Sequence, residues 1–297
     1  MSAFTIMVDS SCDLPPEFLE AGMVEITPMP YELDGTPHNS GYWQEISGED
    51  FYDALHRGCV AKTSQINPDS FEVVFTDYAK QGRGLLCIVL SSGLSATYQN
   101  AVIALMEVKA SYPECDIHVV DSISASCGHG LLAMLACEKC AEGLSAGETA
   151  SWLEKKKHSC MAFFTVDDLM YLHRGGRLSK LSAIAGTVIS IKPMLNIAPD
   201  GTLCQKDKVR GKKAALALMV DQLKRCVAPG ATLGTVLISH TDCLDTAQIL
   251  ADMIREEFKV KDVIIMLMGP IIGAHLGPGA VTLVFEGSIT RNEYEGI

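Results

Sequence analysis

Three hydroxyls, Ser92, Ser95 and Thr97, fall within six residues, directly after the apolar run 85–90 and the turn Ser91-Ser92-Gly93. Small neutral donors grouped at the carboxyl end of a buried strand suit the binding of an anion. From Leu94 onward, Tyr98, Val102, Leu105 and Met106 keep a helical spacing. That spacing predicts a helix whose opening N–H groups face the same point. An ordinary N-cap by Ser92 would account for one hydroxyl and leave the others unexplained. Ser92, Gly93 and Ser95 are therefore candidate anion-binding residues, with capping alone as the plainer alternative.

Three further polar clusters belong with this one. Lys62-Thr63-Ser64-Gln65 is a polar turn ahead of Pro68, and its Thr63 and Ser64 add hydroxyls. Arg174-Gly175-Gly176-Arg177 sets two guanidinium groups beside two glycines in an acidic chain. Arginine forks match carboxylates and phosphates, so Arg174 and Arg177 face a ligand, a protein partner or solvent alone. The stretch 269–279, GPIIGAHLGPG, reads as a glycine-rich loop with His275 as its single ionisable side chain. Glycine allows close backbone approach to a ligand. An imidazole there would hydrogen-bond a carboxylate or phosphate, or exchange a proton near neutrality. A solvated His275 on a loop that merely turns the chain is the competing account. Near the start, Asp9, Ser10 and Ser11 close a first strand at its ligand-facing end, while Asp13 reads as the cap of a helix opened by Pro15-Pro16.

Several chemistries lack their residues. No GxGxxG follows either early strand and no GxxxxGK[ST] occurs, which argues against a dinucleotide site or a P-loop. Gly93-Leu94-Ser95-Ala96-Thr97 begins like a nucleophile elbow but lacks the closing glycine, and the helical spacing puts Ser95 inside the helix. There is no HExxH and no metal-ligand spacing. The Cys137–Cys140 pair is a CxxC within a helical run, without a second pair. The odd total of 11 cysteines fits free thiols in a reducing cytosol better than disulfides. What is left is an anion-binding cleft with neither a catalytic centre nor a cofactor.

The elements that must position these clusters follow from length and pattern. With 297 residues, 48% of them hydrophobic and 20% charged, the chain suits one large or two ordinary globular domains. Its net charge of −12 disfavours nucleic acid and anionic membrane as long-range partners. No apolar run reaches the span of a bilayer and no basic leader precedes the first strand, so a cytoplasmic protein is expected. Strand, polar turn and helix recur three times in the first 140 residues, which predicts a mostly parallel sheet flanked by helices. Extended runs over 24–33 and 160–166, helices over 47–56 and 143–157, and an amphiphilic segment over 178–191 are also expected. A hairpin about Pro199-Asp200-Gly201, then alternating helices and strands to residue 285, form a second α/β set. The boundary is expected near residue 160, giving domains 1–160 and 161–297.

Eight motifs in order make the chain resemble the DegV family, which includes the fatty-acid-binding subunits of bacterial fatty-acid kinase. They are IMVDSSCDLP, KTSQ ahead of Pro68, LSSGLSATYQNA, VDSISASCGHG, YLHRGGRLSK, IKPMLNIAPDGTL, ISHTD and GPIIGAHLGPGAV, and they span nearly the whole length. Ala96 stands where the family often has glycine, and Asn67 where it often has proline or serine. The resemblance implies two α/β domains with an acyl-chain tunnel leading to a polar head site between them. It implies that Thr63 and Ser95 hold a fatty-acid carboxylate with His275 nearby, and that Arg174 or Arg177 lies at the entrance. It also implies that a separate ATP-dependent kinase subunit phosphorylates the presented carboxylate, so this chain would bind a long-chain fatty acid, contact a membrane surface transiently and need no cofactor. The rivals are a hydrolase or phosphotransferase using Ser95 with His275, and a carrier of another hydrophobic acid.

Overall fold

The computed structural model describes residues 4–39, 43–177 and 191–296. Its first half runs β1 (Thr5–Asp9), α1 (Pro16–Glu20), β2 (Val24–Thr27), β3 (Tyr31–Leu33), β4 (Thr36–His38), α2 (Gly48–His56), β5 (Ala61–Thr63) and α3 (Pro68–Gln81). It continues with β6 (Leu85–Val89), α4 (Thr97–Ser111), β7 (Ile117–Asp121), α5 (Ser126–Ala141) and α6 (Ala146–Lys156). Strands β2-β1-β6-β7 form the expected parallel sheet. Every residue of β6 is buried because helices cover both faces, and alternate residues divide between two cores. Leu85, Cys87 and Val89 pack with Phe71 and Phe75 of α3, whereas Leu86 and Ile88 pack with Leu131 and Leu135 of α5.

The extended run 24–33 divides in two. Its second part, β3, leaves the parallel sheet and pairs with β4 and β5 in a small antiparallel sheet. Lys62 and Thr63, expected in a turn, end β5 of that sheet. Ser47 caps α2 through its hydroxyl and Asn67 caps α3. Asp13 caps nothing: the residue ahead of α1 is Pro15, with no side-chain cap.

The second half runs β8 (Cys160–Thr165), α7 (Met170–Arg174), β9 (Ile191–Ile197), β10 (Leu203–Arg210), α8 (Lys212–Cys226), β11 (Leu233–His240) and α9 (Leu244–Glu257). It ends with β12 (Val260–Leu267), α10 (Pro270–Leu276), β13 (Val281–Glu286) and α11 (Arg291–Glu295). Its six strands lie in the order β10-β9-β8-β13-β11-β12, and only the β11–β12 pair is parallel. The hairpin about Pro199-Asp200-Gly201 joins β9 to β10, and Gly201 takes the positive φ of 77° that its turn requires. Apart from Ile191, the amphiphilic segment 178–191 lies outside the described residues. We propose the division between the halves near residue 160, where β8 enters the second sheet.

Helix α5 binds the two halves together. Residues 126–137 are buried on every side, because one flank meets β1 and β6 and the other meets β8, β11 and β13. A helix apolar all round has this placement as its cause. Helices α8 and α9 cover the other face of the second sheet, where Leu216, Leu223, Leu250 and Ile254 meet Phe163, Leu283 and Phe285.

Candidate functional site

Helix α4 starts later than its apolar spacing suggests. Leu94 and Ser95 donate their N–H groups to the Ser91 carbonyl at 3.0 and 3.1 Å, which holds residues 91–96 as a turn. The helix opens at Thr97 with Ala96 at the cap position and no side-chain cap there. Ser95 therefore stands ahead of the helix, not within it. Its hydroxyl accepts the Thr97 N–H at 3.3 Å and lies 2.9 Å from the Thr97 hydroxyl. Ser92 is no cap either, since Ala96 takes the cap position of α4; the Ser92 N–H donates to the Asp121 carboxylate at 3.1 Å.

Residues 269–279 are a seven-residue helix, α10, with a short exit, where a loop was expected. Pro270 in the first turn supplies a preset φ. Gly273 faces Tyr52, and a Cβ at that position would run into the Tyr52 hydroxyl. That hydroxyl donates to the Met268 carbonyl at 2.7 Å, and Gly277 ends the helix with a φ of 68°. His275 points from α10 toward β5, so its Nε2 sits 2.7 Å from the Thr63 hydroxyl. Gly175 presses against Nδ1 on the other side of the ring, where any Cβ would collide with it.

Arg177 completes the group. Its Nε donates to the Leu94 carbonyl at 3.1 Å and its Nη1 to the Gly175 carbonyl at 2.5 Å. Burial, and then the neighbouring guanidinium, push the His275 imidazole down from its ordinary 6.5 to about 4. The expected proton exchange near neutrality therefore gives way to a neutral ring in the ligand-free protein, offering one donor and one acceptor.

Thr63, Ser64, Ser95, Arg177 and His275 together line one end of a narrow cavity of about 740 Å³, counted out to solvent. Its remaining wall is mainly apolar and includes Leu90, Phe164, Leu172, Ile197, Leu203 and Ile271. The walls come from α10, α7, the inner face of the second sheet and the turn ahead of α4. An outer cavity shares Thr63, Arg177 and His275 with the first, and adds Lys62, Arg174 and Tyr171 without any carboxylate in its lining. The Arg174 guanidinium lies 4.5 Å from the centre of the Tyr171 ring. Three cations at the mouth of a site in a chain of charge −12 draw an anionic group inward.

Two candidates stand apart from the cavity. Gly93 packs against the hairpin turn, where a Cβ would come within 2.6 Å of the Gly201 carbonyl carbon, and neither it nor Ser92 contributes to the lining. The hydroxyls of the first strand also turn inward. Asp9 accepts the Ser11 N–H at 2.9 Å and the Leu90 N–H at 2.6 Å, and the Ser10 hydroxyl accepts from Met29 at 2.8 Å. These residues tie loops together and do not face a ligand. Ser126, by contrast, was not expected in the site yet lines the cavity with a φ of 53°. A left-handed serine leaves no mark in a sequence pattern, so nothing in the chain announced it. Among the described residues, no group of three or more His, Cys, Asp or Glu side chains could hold a metal ion. No described helix is long and apolar enough to cross a membrane.

A family model described as "Uncharacterised protein, DegV family" matches residues 3–287. A DegV domain-containing protein of Clostridium perfringens, CPE0026, is 38% identical over 288 residues, which are 97% of this chain and 98% of that protein. Among solved structures, a DegV lipid-binding protein from Thermotoga maritima is similar with a TM-score of 0.84 at 30% identity, covering 98% of this chain and 100% of that one. A second Thermotoga maritima protein, TM841, whose structure is described as revealing a fatty acid binding function, has a TM-score of 0.83 at 30% identity over 97% of this chain and 100% of its own.

Proposed function

We propose, from the premise that this chain belongs to the DegV family, that it encloses the tail of a long-chain fatty acid and presents the carboxylate to a separate ATP-dependent kinase. The observation that carries this is the junction of Thr63, Ser95, His275 and Arg177 at one end of an apolar cavity that opens into a cationic mouth. Fatty acid binding by the similar TM841 supports it. The carboxylate receives hydrogen bonds from the Thr63 and Ser95 hydroxyls and from the His275 ring, with Arg177 balancing its charge. Lys62 and Arg174 lie further out, where a kinase would reach the carboxylate.

Magnitudes divide the labour between head and tail. Burying roughly a dozen methylenes at ~0.8 kcal/mol each is worth about 10 kcal/mol relative to water. Relative to a bilayer, where the tail already lies in hydrocarbon, most of that gain cancels. Each charge-assisted head bond contributes about 1.5–3 kcal/mol. Head contacts therefore decide occupancy at a membrane, and the shape of the cavity decides which tail is taken.

We assign the chain no turnover of its own. A hydrolase built on Ser95 needs His275 as its base, but the His275 Nε2 is partnered with Thr63 and not with Ser95. Mass spectrometry of the purified protein, native and then denatured, tests the proposal. A released fatty acid is the expected result. A folded protein that carries none, and takes up none when it is supplied, overturns it.

A further inference from the structure

Asp13 lies in the loop between β1 and α1, with 2% of its surface exposed. Its carboxylate reaches two distant elements. Oδ1 accepts the N–H of Gly269, the residue that opens α10, at 2.8 Å. Oδ2 accepts the hydroxyl of Ser126, which opens α5 and lines the cavity. The Ser126 hydroxyl is also 3.0 Å from that of Ser239 on β11, itself 3.3 Å from the Cys127 sulfur.

The surroundings are shaped to admit this carboxylate. A Cβ on residue 269 would sit 2.8 Å from Oδ1, and one on residue 130 would collide with the Asp13 carbonyl oxygen. Neither partner of the carboxylate is cationic. Burying a carboxyl in such a place is costly, and an apolar side chain would fill a merely space-filling role.

We propose that Asp13 is a positioning residue for the head site: it fixes the start of α10 against the cavity wall and so sets the place of His275. Helix α10 is short, so an anchor at Gly269 acts on His275 through less than two turns of rigid backbone. Tyr52 holds the preceding carbonyl of Met268 and Asp13 holds the next N–H, which leaves the helix little freedom to slide. Because the same carboxylate also holds Ser126, the wall of the tail cavity and the helix of the head site share one anchor. This inference rests on the head-site assignment made above.

The test compares Asp13→Ala, Asp13→Asn and Gly269→Ala with the wild type in the full chain. The first readout is the nitrogen-15 spectrum of the His275 ring in ligand-free protein; the second is affinity for palmitate, each at matched thermal stability. Asp13→Ala is expected to move the His275 ring resonances and weaken palmitate by about tenfold, the loss of one charge-assisted bond. Asp13→Asn keeps an acceptor oxygen for the Gly269 N–H and is expected to restore both. Gly269→Ala pushes the carboxylate aside without removing it, so it decides the matter if Asp13→Ala does not fold. Unmoved His275 resonances in a folded Asp13→Ala or Gly269→Ala protein overturn the proposal. Wild-type protein that takes up no fatty acid, palmitate included, refutes the fatty-acid assignment instead, and the resonances still judge Asp13.

Discussion

Thr63→Val removes a hydroxyl while keeping a β-branched side chain of nearly the same volume at the end of strand β5. Thr63 is half-buried beside an outer cavity open to solvent, so its bond to a carboxylate belongs at the lower end of the ~1.5–3 kcal/mol for charge-assisted bonds. That corresponds to about tenfold weaker binding. The tail is untouched, so each added methylene should still contribute ~0.8 kcal/mol. Affinity is best measured for a series of saturated fatty acids, by displacement of a fluorescent fatty acid below the aggregation threshold. Plotted against chain length, the free energies of wild type and variant should form parallel lines, offset by the head bond. An absent offset would remove Thr63 from the head site. An offset that grows with chain length would place the residue against the tail, and the division of head from tail would fail.

Gly175→Ala should weaken fatty-acid binding by a similar factor without altering thermal stability. The backbone there has a φ of −70°, which alanine accepts, while the new methyl would strike His275 Nδ1. Unchanged affinity would mean that the ring position is immaterial. Arg174→Ala removes an exposed cation of the outer cavity, so palmitate affinity should stay within about twofold while acyl-phosphate formation with a kinase falls; lipid loss would move Arg174 into the ligand site. Burial lifts the Asp13 carboxyl from 3.8 to about 7, against the opposing Ser126 and Gly269 hydrogen bonds. Its folded value lies above its unfolded one, so the stability it allows below pH ~4 is lost as pH rises through about 7. The gap amounts to about 4 kcal/mol at ~1.4 kcal/mol per pH unit. Cys12, Cys127 and Tyr52, which sense this charge, are raised and stay protonated over that range. Asp13→Asn should remove this decline in denaturant titrations from pH 4 to 8, and parallel pH curves for the two proteins would refute it.

Much of the first half is readable from pattern alone. The strand at 85–89 is a continuous apolar run because both faces of its sheet are covered, and such a run needs no tertiary information to recognise. Thr63, Ser95 and His275, far apart in sequence, are chemically suited to one site, and the fold brings them to the same cavity. The failures have local causes. Four glycines in eleven residues suggest a loop at 269–279, yet Gly273 is there to admit Tyr52 and Gly269 to admit Asp13, so packing overrides propensity. Ser92 precedes an apolar helical pattern and looks like a cap, but a hydrogen-bonded turn on the Ser91 carbonyl delays the helix to Thr97. The antiparallel order of the second sheet was not readable either, because alternating helices and strands do not specify which strands become neighbours.

The position of α5 bears on how the molecule can come apart. Cut near residue 160, the leading fragment would keep the helix but lose the sheet that covers one of its flanks. The trailing fragment would display the inner face of that sheet, with Phe164, Leu195 and Val284, to water. Each piece keeps a core of its own, but the core that α5 fills lies open in both, so neither half is fully covered without the other. Unfolding should be a single cooperative event, and the cavity, walled by both halves, should vanish with it in the same step.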